Sequence, residues 1–169
     1  MGPSSDVAPD DEIEQLAQRL GALLIRAGSR IAAAESLTAG HVQSSIAAIS
    51  GASNYFRGGI TAYHLEEKVR LLGVDRAEAE RSDCVSAEVA RQMARGAQRT
   101  FATDVAISTT GYADGVDVPF AFFAVVVGET EVVDRFDGPG LTRRQMQRRV
   151  ASRALALAIE TLETRHGRQ

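Results

Sequence analysis

The stretch from Arg30 to Gly51 constrains the fold more than any other part of the chain. RIAAAES has strand length and an apolar middle, and it leads without a spacer into TAGHVQSSIAAIS, where Val42, Ile46 and Ile49 suggest a helix closed by Gly51. A strand that turns at once into a helix aims several unpaired backbone N–H groups, with the partial positive charge of the helix N-terminus, at one spot. Anionic ligands bind at such corners.

The rest of the chain supplies elements of the same kind. Ile13, Leu16, Ala17, Leu20, Leu23 and Leu24 recur at helical spacing until Gly28 stops the run. GGITAYH reads as a second strand, and LEEKVRLLGV as a short helix closed by Gly73. Ser86 is placed to cap a helix running to about Phe101, with Glu88 in its first turn. DVAIST is a third strand, and Phe120 to Val127 and Thr130 to Phe136 are two apolar strands separated only by Gly128-Glu129, which predicts an antiparallel hairpin. An amphipathic helix follows from about Thr142 to Arg165. The order predicts an α/β fold: a three-layer α/β/α arrangement with a mixed sheet of about five strands and a late antiparallel hairpin.

The 169 residues fit one domain. Residues 1 to 10, MGPSSDVAPD, are polar with two Pro and are expected to be disordered, leaving 11 to 169 as the domain. With 44% hydrophobic and 24% charged residues the composition is that of a globular protein, neither disordered nor fibrous. Trp is absent, so the core must rest on Ala, Val, Leu and Ile with six Phe as larger pieces.

Charge excludes further classes. A formal net charge of -3 gives no general attraction for nucleic acid, and the cluster Arg143, Arg144, Arg148, Arg149 and Arg153 reads as a solvated helix face. Cys84 is the only cysteine, which rules out an intrachain disulfide and a Cys-based zinc site, and no metal is expected. The first dozen residues are acidic, unlike a signal peptide, and no apolar run reaches membrane length, so a cytoplasmic protein without a membrane partner is expected.

Two places could carry chemistry. Ser36 and Thr38 lie in the corner A-E-S-L-T-A-G, where either could cap the following helix or, alternatively, Ser36 could be a nucleophile beside ready-made oxyanion donors. Of the three His, His41 and His64 could in principle serve as base and His166 lies in the tail, but no G-x-S-x-G elbow is present, which disfavours a conventional hydrolase triad. Lys68 is the only lysine of a chain whose other basic residues are arginines. Near a helix N-terminus, and if buried, its ammonium form is disfavoured and it could serve as a neutral base; exposed, it would be an ordinary helix lysine.

The string AAAESLTAGHVQSSIAAISGASNYFRGGITAYHLEEKVRLLGV resembles the CinA C-terminal domain family, whose pattern is approximately A-E-S-C-T-G-G, then G-S-S-x-x-F-x-x-G, then T-Y-S-N-E-A-K, then L-G-V. VSAEVARQMARGAQ and DVAISTTGYA are similar to the family's next helix and third strand. The resemblance implies a nicotinamide-nucleotide amidohydrolase that converts nicotinamide mononucleotide to nicotinic acid mononucleotide and ammonia, recycling pyridine nucleotides with no cofactor. It implies a nucleophile at Ser36, a base at Lys68 and an assisting Tyr63. Substrate contacts are expected from Glu35, Thr38, Ala39, Gly40, Thr110, Gly111 and Arg148, the last chosen over Arg144 and Arg149 by register. N–H groups around Thr38 to Gly40 are expected to hold the oxyanion or the ligand phosphate.

The chain departs from the pattern at Leu37, which replaces Cys, and at Ala39, which replaces Gly and suits a φ below zero. The loop after Gly111 is shorter and gains Asp114 and Asp117, whose charge would repel a ligand phosphate that they faced. The alternative is therefore a catalytically silent or redirected relative that binds a nucleotide or a protein partner. A homodimer or larger homo-oligomer is expected, with Tyr55 and Phe56 suited either to a subunit interface or to the core.

Overall fold

The computed structural model describes residues 10–166. Asp10 already belongs to the first helix, and the remainder of the expected tail lies outside the described residues. The elements are α1 (Asp10–Ala27), β1 (Ile31–Glu35), α2 (His41–Ala47), β2 (Phe56–Thr61), α3 (Leu65–Leu72), α4 (Arg76–Arg81), α5 (Ala87–Phe101), β3 (Val105–Tyr112), β4 (Phe120–Val127), β5 (Thr130–Asp137) and α6 (Arg143–His166), with a short 3-10 turn at Ala52–Asn54.

The five strands form one sheet in the order β2-β1-β3-β4-β5. β2, β1 and β3 run parallel, while β4 and β5 are antiparallel additions. Alternation along the strands splits the interior into two layers, as the period of two requires. Ile31, Ala33, Val105 and Ile107 pack with Leu20 and Leu24 of α1, Val42 and Ile46 of α2, and Met146, Val150 and Leu155 of α6. Ala32, Ala34 and Ala106 face the other way, against Leu72 of α3, Ala79 of α4 and Val89, Ala90, Met93 and Ala97 of α5. The mixed three-layer α/β/α sheet and its late hairpin are as expected. β1 is buried at all five positions, which explains its unbroken apolar run.

The boundaries differ where pairing rather than residue type decides them. β2 is Phe56–Thr61 instead of Gly58 to His64, because its partner β1 ends at Glu35, opposite Thr61. β3 runs on to Tyr112, since β4 continues to pair with it as far as Tyr112 opposite Phe120. The seven-residue α2 ends at Ala47, and Gly51 sits at φ 84° before the 3-10 turn. The sequence pattern missed α4, a helix too short to show a period; Asp75 caps it by accepting the Glu78 N–H at 2.8 Å. Tyr55 belongs to the core, 2% exposed, with its ring where any Cβ on Gly21 would lie.

This topology brings the carboxyl ends of β1 and β3 side by side and leaves three residues between the end of β2 and the start of α3. Ligands bind beyond the carboxyl ends of parallel strands in open α/β sheets. The placement of α3 depends on Gly96 of α5, where an added Cβ would lie 2.2 Å from the Leu72 carbonyl oxygen. Gly96→Ala is expected to lose about 1 to 3 kcal/mol in urea unfolding. A loss below about 0.5 kcal/mol would show that α3 is free to shift away from α5.

Candidate active site

Glu35, the last residue of β1, is fully buried. Its carboxylate accepts hydrogen bonds from the N–H groups of Gly40 (3.0 Å), Val42 (3.1 Å) and Gln43 (2.8 Å) and from the Thr38 hydroxyl (2.5 Å). The first turn of α2 is thus satisfied by a carboxylate from the preceding strand, which also meets the positive end of the helix. Neither Ser36 nor Thr38 caps the helix in the usual way: its N-cap is Gly40, which makes no side-chain hydrogen bond. The Glu35 carboxylate and the Gly40 N–H, both expected at the ligand, are bonded to each other within the corner.

Thr38 and Thr109 extend the tie into β3. Their hydroxyls are 2.7 Å apart, and the Ser36 N–H donates to the Thr109 carbonyl oxygen at 3.0 Å. The corner turns on Ala39 at φ 48° and Gly40 at φ 99°. Ala39 therefore occupies the left-handed region rather than the negative φ expected for it, at a cost that glycine would avoid. Its exposed side chain clashes with nothing, and Leu37, 2% exposed, packs into the core.

Held at this corner, Ser36 presents its hydroxyl to Lys68. The Nζ atom of Lys68 lies 3.0 Å from Ser36 Oγ and donates to the Tyr63 carbonyl oxygen at 3.1 Å. Lys68 is only 2% exposed, on the inner face of α3. Burial pushes its pKa below the ordinary lysine value, and the nearby Cys84 and Asp83 oppose that shift only in part. Tyr63 contributes its carbonyl here; its side chain is 56% exposed, and the phenol is bonded to Arg143 instead of to Ser36.

Ser36 and Lys68 open onto a cavity of about 210 Å³ whose wall includes Thr110, Gly111, Tyr63, Asp83, Cys84, Tyr112, Asp114 and Arg143. Thr110 lines it while donating its hydroxyl to the Cys84 carbonyl oxygen at 2.6 Å. Gly111 is required by the close approach of β4: a Cβ would lie 2.4 Å from the Phe120 carbonyl oxygen. A larger groove of about 390 Å³, lined by residues that include Phe136, Arg149 and Arg153, has no serine, cysteine, histidine or lysine in its wall. Among the described residues no group of three or more His, Cys, Asp or Glu could hold a metal ion.

The arginine that lines this cavity is Arg143, whereas the register of the sequence favours Arg148. Arg148 pairs with Asp10 of α1 and lines a separate groove with His41. Five residues separate the two positions, well over one helical turn, so they face different neighbours. Arg143 bonds Tyr63 and pairs with Asp114 at 2.7 Å, so the added negative charge of Asp114 is matched by a cation. Sequence reasoning also missed Asp83, Cys84 and Tyr112 as wall residues; no spacing signal links them to Ser36, because α4, α5 and β3 bring them there.

Residues 13–162 match the family model of the CinA C-terminal domain. The chain belongs to the CinA C-terminal domain family. A CinA-like protein of Flavobacterium psychrophilum is 35% identical over 158 residues, covering 90% of this chain and 37% of that protein. A CinA-like protein of Mycobacterium avium is 48% identical over 87 residues, covering 52% of this chain and 20% of that protein. The matches thus span between a fifth and little more than a third of the length of these curated relatives. Among solved structures, a CinA superfamily protein of Escherichia coli superposes with a TM-score of 0.84 at 25% identity, covering 90% of this chain and 92% of that one. A competence/damage inducible protein of Agrobacterium tumefaciens gives 0.84 at 23% identity, covering 96% and 98%. These likenesses agree with the three-layer fold of the CinA domain. No helix among the described residues is long and apolar enough to cross a membrane.

Two substitutions test the corner of this CinA domain. Ala39→Gly, which relieves the left-handed strain, is expected to raise stability by about 0.5 to 1 kcal/mol. Glu35→Gln sets an amide N–H₂ against donors and is expected to cost about 2 kcal/mol. Both are read by chemical denaturation, and a neutral Glu35→Gln would mean that the carboxylate does not organise α2.

Proposed function

We propose that the chain is an amidohydrolase that converts nicotinamide mononucleotide to nicotinic acid mononucleotide and ammonia, with Ser36 as nucleophile and Lys68 as base. The observation that carries this reading is the buried Lys68 Nζ at 3.0 Å from Ser36 Oγ. A neutral amine that donates one N–H to the Tyr63 carbonyl keeps a lone pair for the Ser36 hydroxyl, and burial favours that neutral form.

In this mechanism Ser36 Oγ attacks the carboxamide carbon as Lys68 takes the hydroxyl proton. The tetrahedral intermediate collapses when Lys68 returns the proton to the leaving nitrogen, releasing ammonia and leaving an ester on Ser36. Lys68 then deprotonates a water that attacks the ester, giving the carboxylate and restoring Ser36. Of the corner N–H groups, Gly40 is held by Glu35 and Ala39 by the Ser36 carbonyl, so Leu37 and Thr38 are the donors left to face the oxyanion. Arg143 at the mouth is the cation suited to the ligand phosphate. A redirected relative that binds a nucleotide without turnover is favoured by one observation, the pairing of that arginine with Asp114.

Ammonia release from nicotinamide mononucleotide decides between them. Wild type is expected to turn over, and Ser36→Ala and Lys68→Met to lose at least about a hundredfold to ten-thousandfold. Turnover that survives Ser36→Ala, or a wild type that binds the nucleotide and releases no ammonia, would sink the hydrolase reading.

The pH dependence has a definite sign. Since the Lys68 pKa is lowered, kcat/KM is expected to rise with pH through that lowered value and level off beyond it. For stability, the unfolded chain binds the Lys68 proton more tightly than the fold does. The resulting penalty is greatest below the lowered folded pKa and fades as pH rises toward the ordinary value of 10.5. Lys68→Met should therefore leave the melting temperature at neutral pH unchanged or higher while abolishing turnover. A marked drop in melting temperature would show that Lys68 stabilises the fold.

A further inference from the structure

The pocket wall carries two carboxylates, and only one of them is matched by a cation. Asp114 is paired with Arg143, whereas Asp83, among the described residues, has no ion-pair partner and accepts a hydrogen bond from the Tyr112 hydroxyl at 2.6 Å. Asp83 and Cys84 lie between α4 and α5 with consecutive left-handed φ values of 51° and 62°, a conformation that Asp tolerates and Cys rarely adopts. The Cys84 N–H donates to the Ala79 carbonyl at 2.8 Å, and the Cys84 carbonyl accepts from Thr110. With Tyr112 these contacts hold the Asp83 carboxylate at the wall of the cavity that Ser36 and Lys68 share.

Tyr112 is half-buried at the same wall, its ring edge-on to Phe120 at 5.4 Å between centroids. Its bond to Asp83, followed by burial, pushes the phenol pKa up to about 12, so the hydroxyl remains a donor to the Asp83 carboxylate. A fixed carboxylate beside an aromatic ring is a receptor for a flat cation, which gains a counter-ion from one group and a π face from the other.

We propose that Asp83, held by Tyr112, is the counter-ion for a positively charged ring on the substrate, so that the pocket selects carboxamides carried on a cationic heteroaromatic ring over neutral ones. This rests on the amidohydrolase reading of Ser36 and Lys68 and adds a specificity-determining residue to it. The selection suits the chemistry, because a cationic ring withdraws electrons from its carboxamide and makes the carbonyl carbon a better target for Ser36. Asp83 also bears on Lys68, whose charged form it favours, and a role confined to Lys68 predicts a different result. In that case Asp83→Asn would move the pH profile of both kinds of carboxamide alike and leave their ratio unchanged.

The probes are 1-methylpyridinium-3-carboxamide and its neutral isostere 3-methylbenzamide. Binding is measured by titration calorimetry on Ser36→Ala, which removes turnover, and on Ser36→Ala with Asp83→Asn; asparagine accepts a left-handed φ, so the wall keeps its shape. The cation is expected to bind at least about tenfold tighter than the isostere to the first protein. That preference should fall close to unity in the second, and should weaken in the first as salt rises. Equal binding of the two probes, a preference that survives Asp83→Asn, or binding of neither probe overturns the proposal. Its fate is separable from that of the hydrolase reading. A protein that binds the cation through Asp83 but releases no ammonia from nicotinamide mononucleotide keeps the subsite and loses the chemistry. One that hydrolyses both probes with equal kcat/KM keeps the chemistry and loses the subsite.

Discussion

Four hydrogen bonds converge on the buried carboxylate of Glu35, and the geometry of the candidate site follows from them. A carboxylate withdrawn from water at the end of a strand is costly unless donors surround it, and the first turn of α2 supplies those donors. Each half of the arrangement needs the other: without Glu35 the helix would have a buried, unsatisfied N-terminus, and without the helix Glu35 would be a buried bare charge. The exchange fixes the chain path from β1 into α2, and the first residue of the corner between them, Ser36, has its backbone pinned to Thr109 of β3. From this position the hydroxyl meets Lys68 of α3.

The same tie changes what the corner can bind. An unoccupied helix N-terminus attracts anions, and the sequence pattern of strand directly into helix points to that use. Here the chain's own carboxylate fills the position, so a ligand anion must find its cation elsewhere. Arg143, arriving from the far end of the chain at the start of α6, is the arginine that lines the cavity. Lys68 shows the complementary trade. Burying an amine 2% exposed, with a serine hydroxyl and one carbonyl as its polar contacts, works against stability and in favour of a proton acceptor.

Much of this was legible in the sequence, and the rest was hidden for identifiable reasons. Strand and helix order could be read because β1 and β4 are buried and carry long apolar runs, β3 opens on Val105, Ala106 and Ile107, and α1 and α5 carry regular apolar stripes. Ser36 and Lys68 stood out because one sits in a tight corner and the other is the chain's only lysine. Their contact spans 32 positions and depends on how β2 pairs with β1, which no local pattern records. Arg143 and Arg148 look equivalent in a run of arginines, and only the rotation of α6 against α1 separates them. Asp83 and Tyr112 meet across 29 positions through a left-handed turn made by two residues other than glycine, so neither composition nor period marks that wall.

The positions where the chain departs from the family pattern all lie outside the Ser36 to Lys68 contact. Leu37 is buried in the core, where a larger apolar side chain adds buried surface, and it also forms part of the cavity wall. Ala39 accepts a left-handed φ at a cost on the order of 1 to 2 kcal/mol, which a corner held by Glu35 and Thr109 can sustain. Asp114 brings a negative charge to the mouth but meets Arg143 there, and an exposed pair of this kind is worth no more than about 1 kcal/mol. A phosphate with two or three oxygens could therefore displace Asp114 at little cost, whereas it could not displace Glu35 from α2 without unmaking the corner. The two acidic groups thus act at different levels: Glu35 shapes the site irreversibly as the chain folds, and Asp114 holds Arg143 in a contact that a ligand can break.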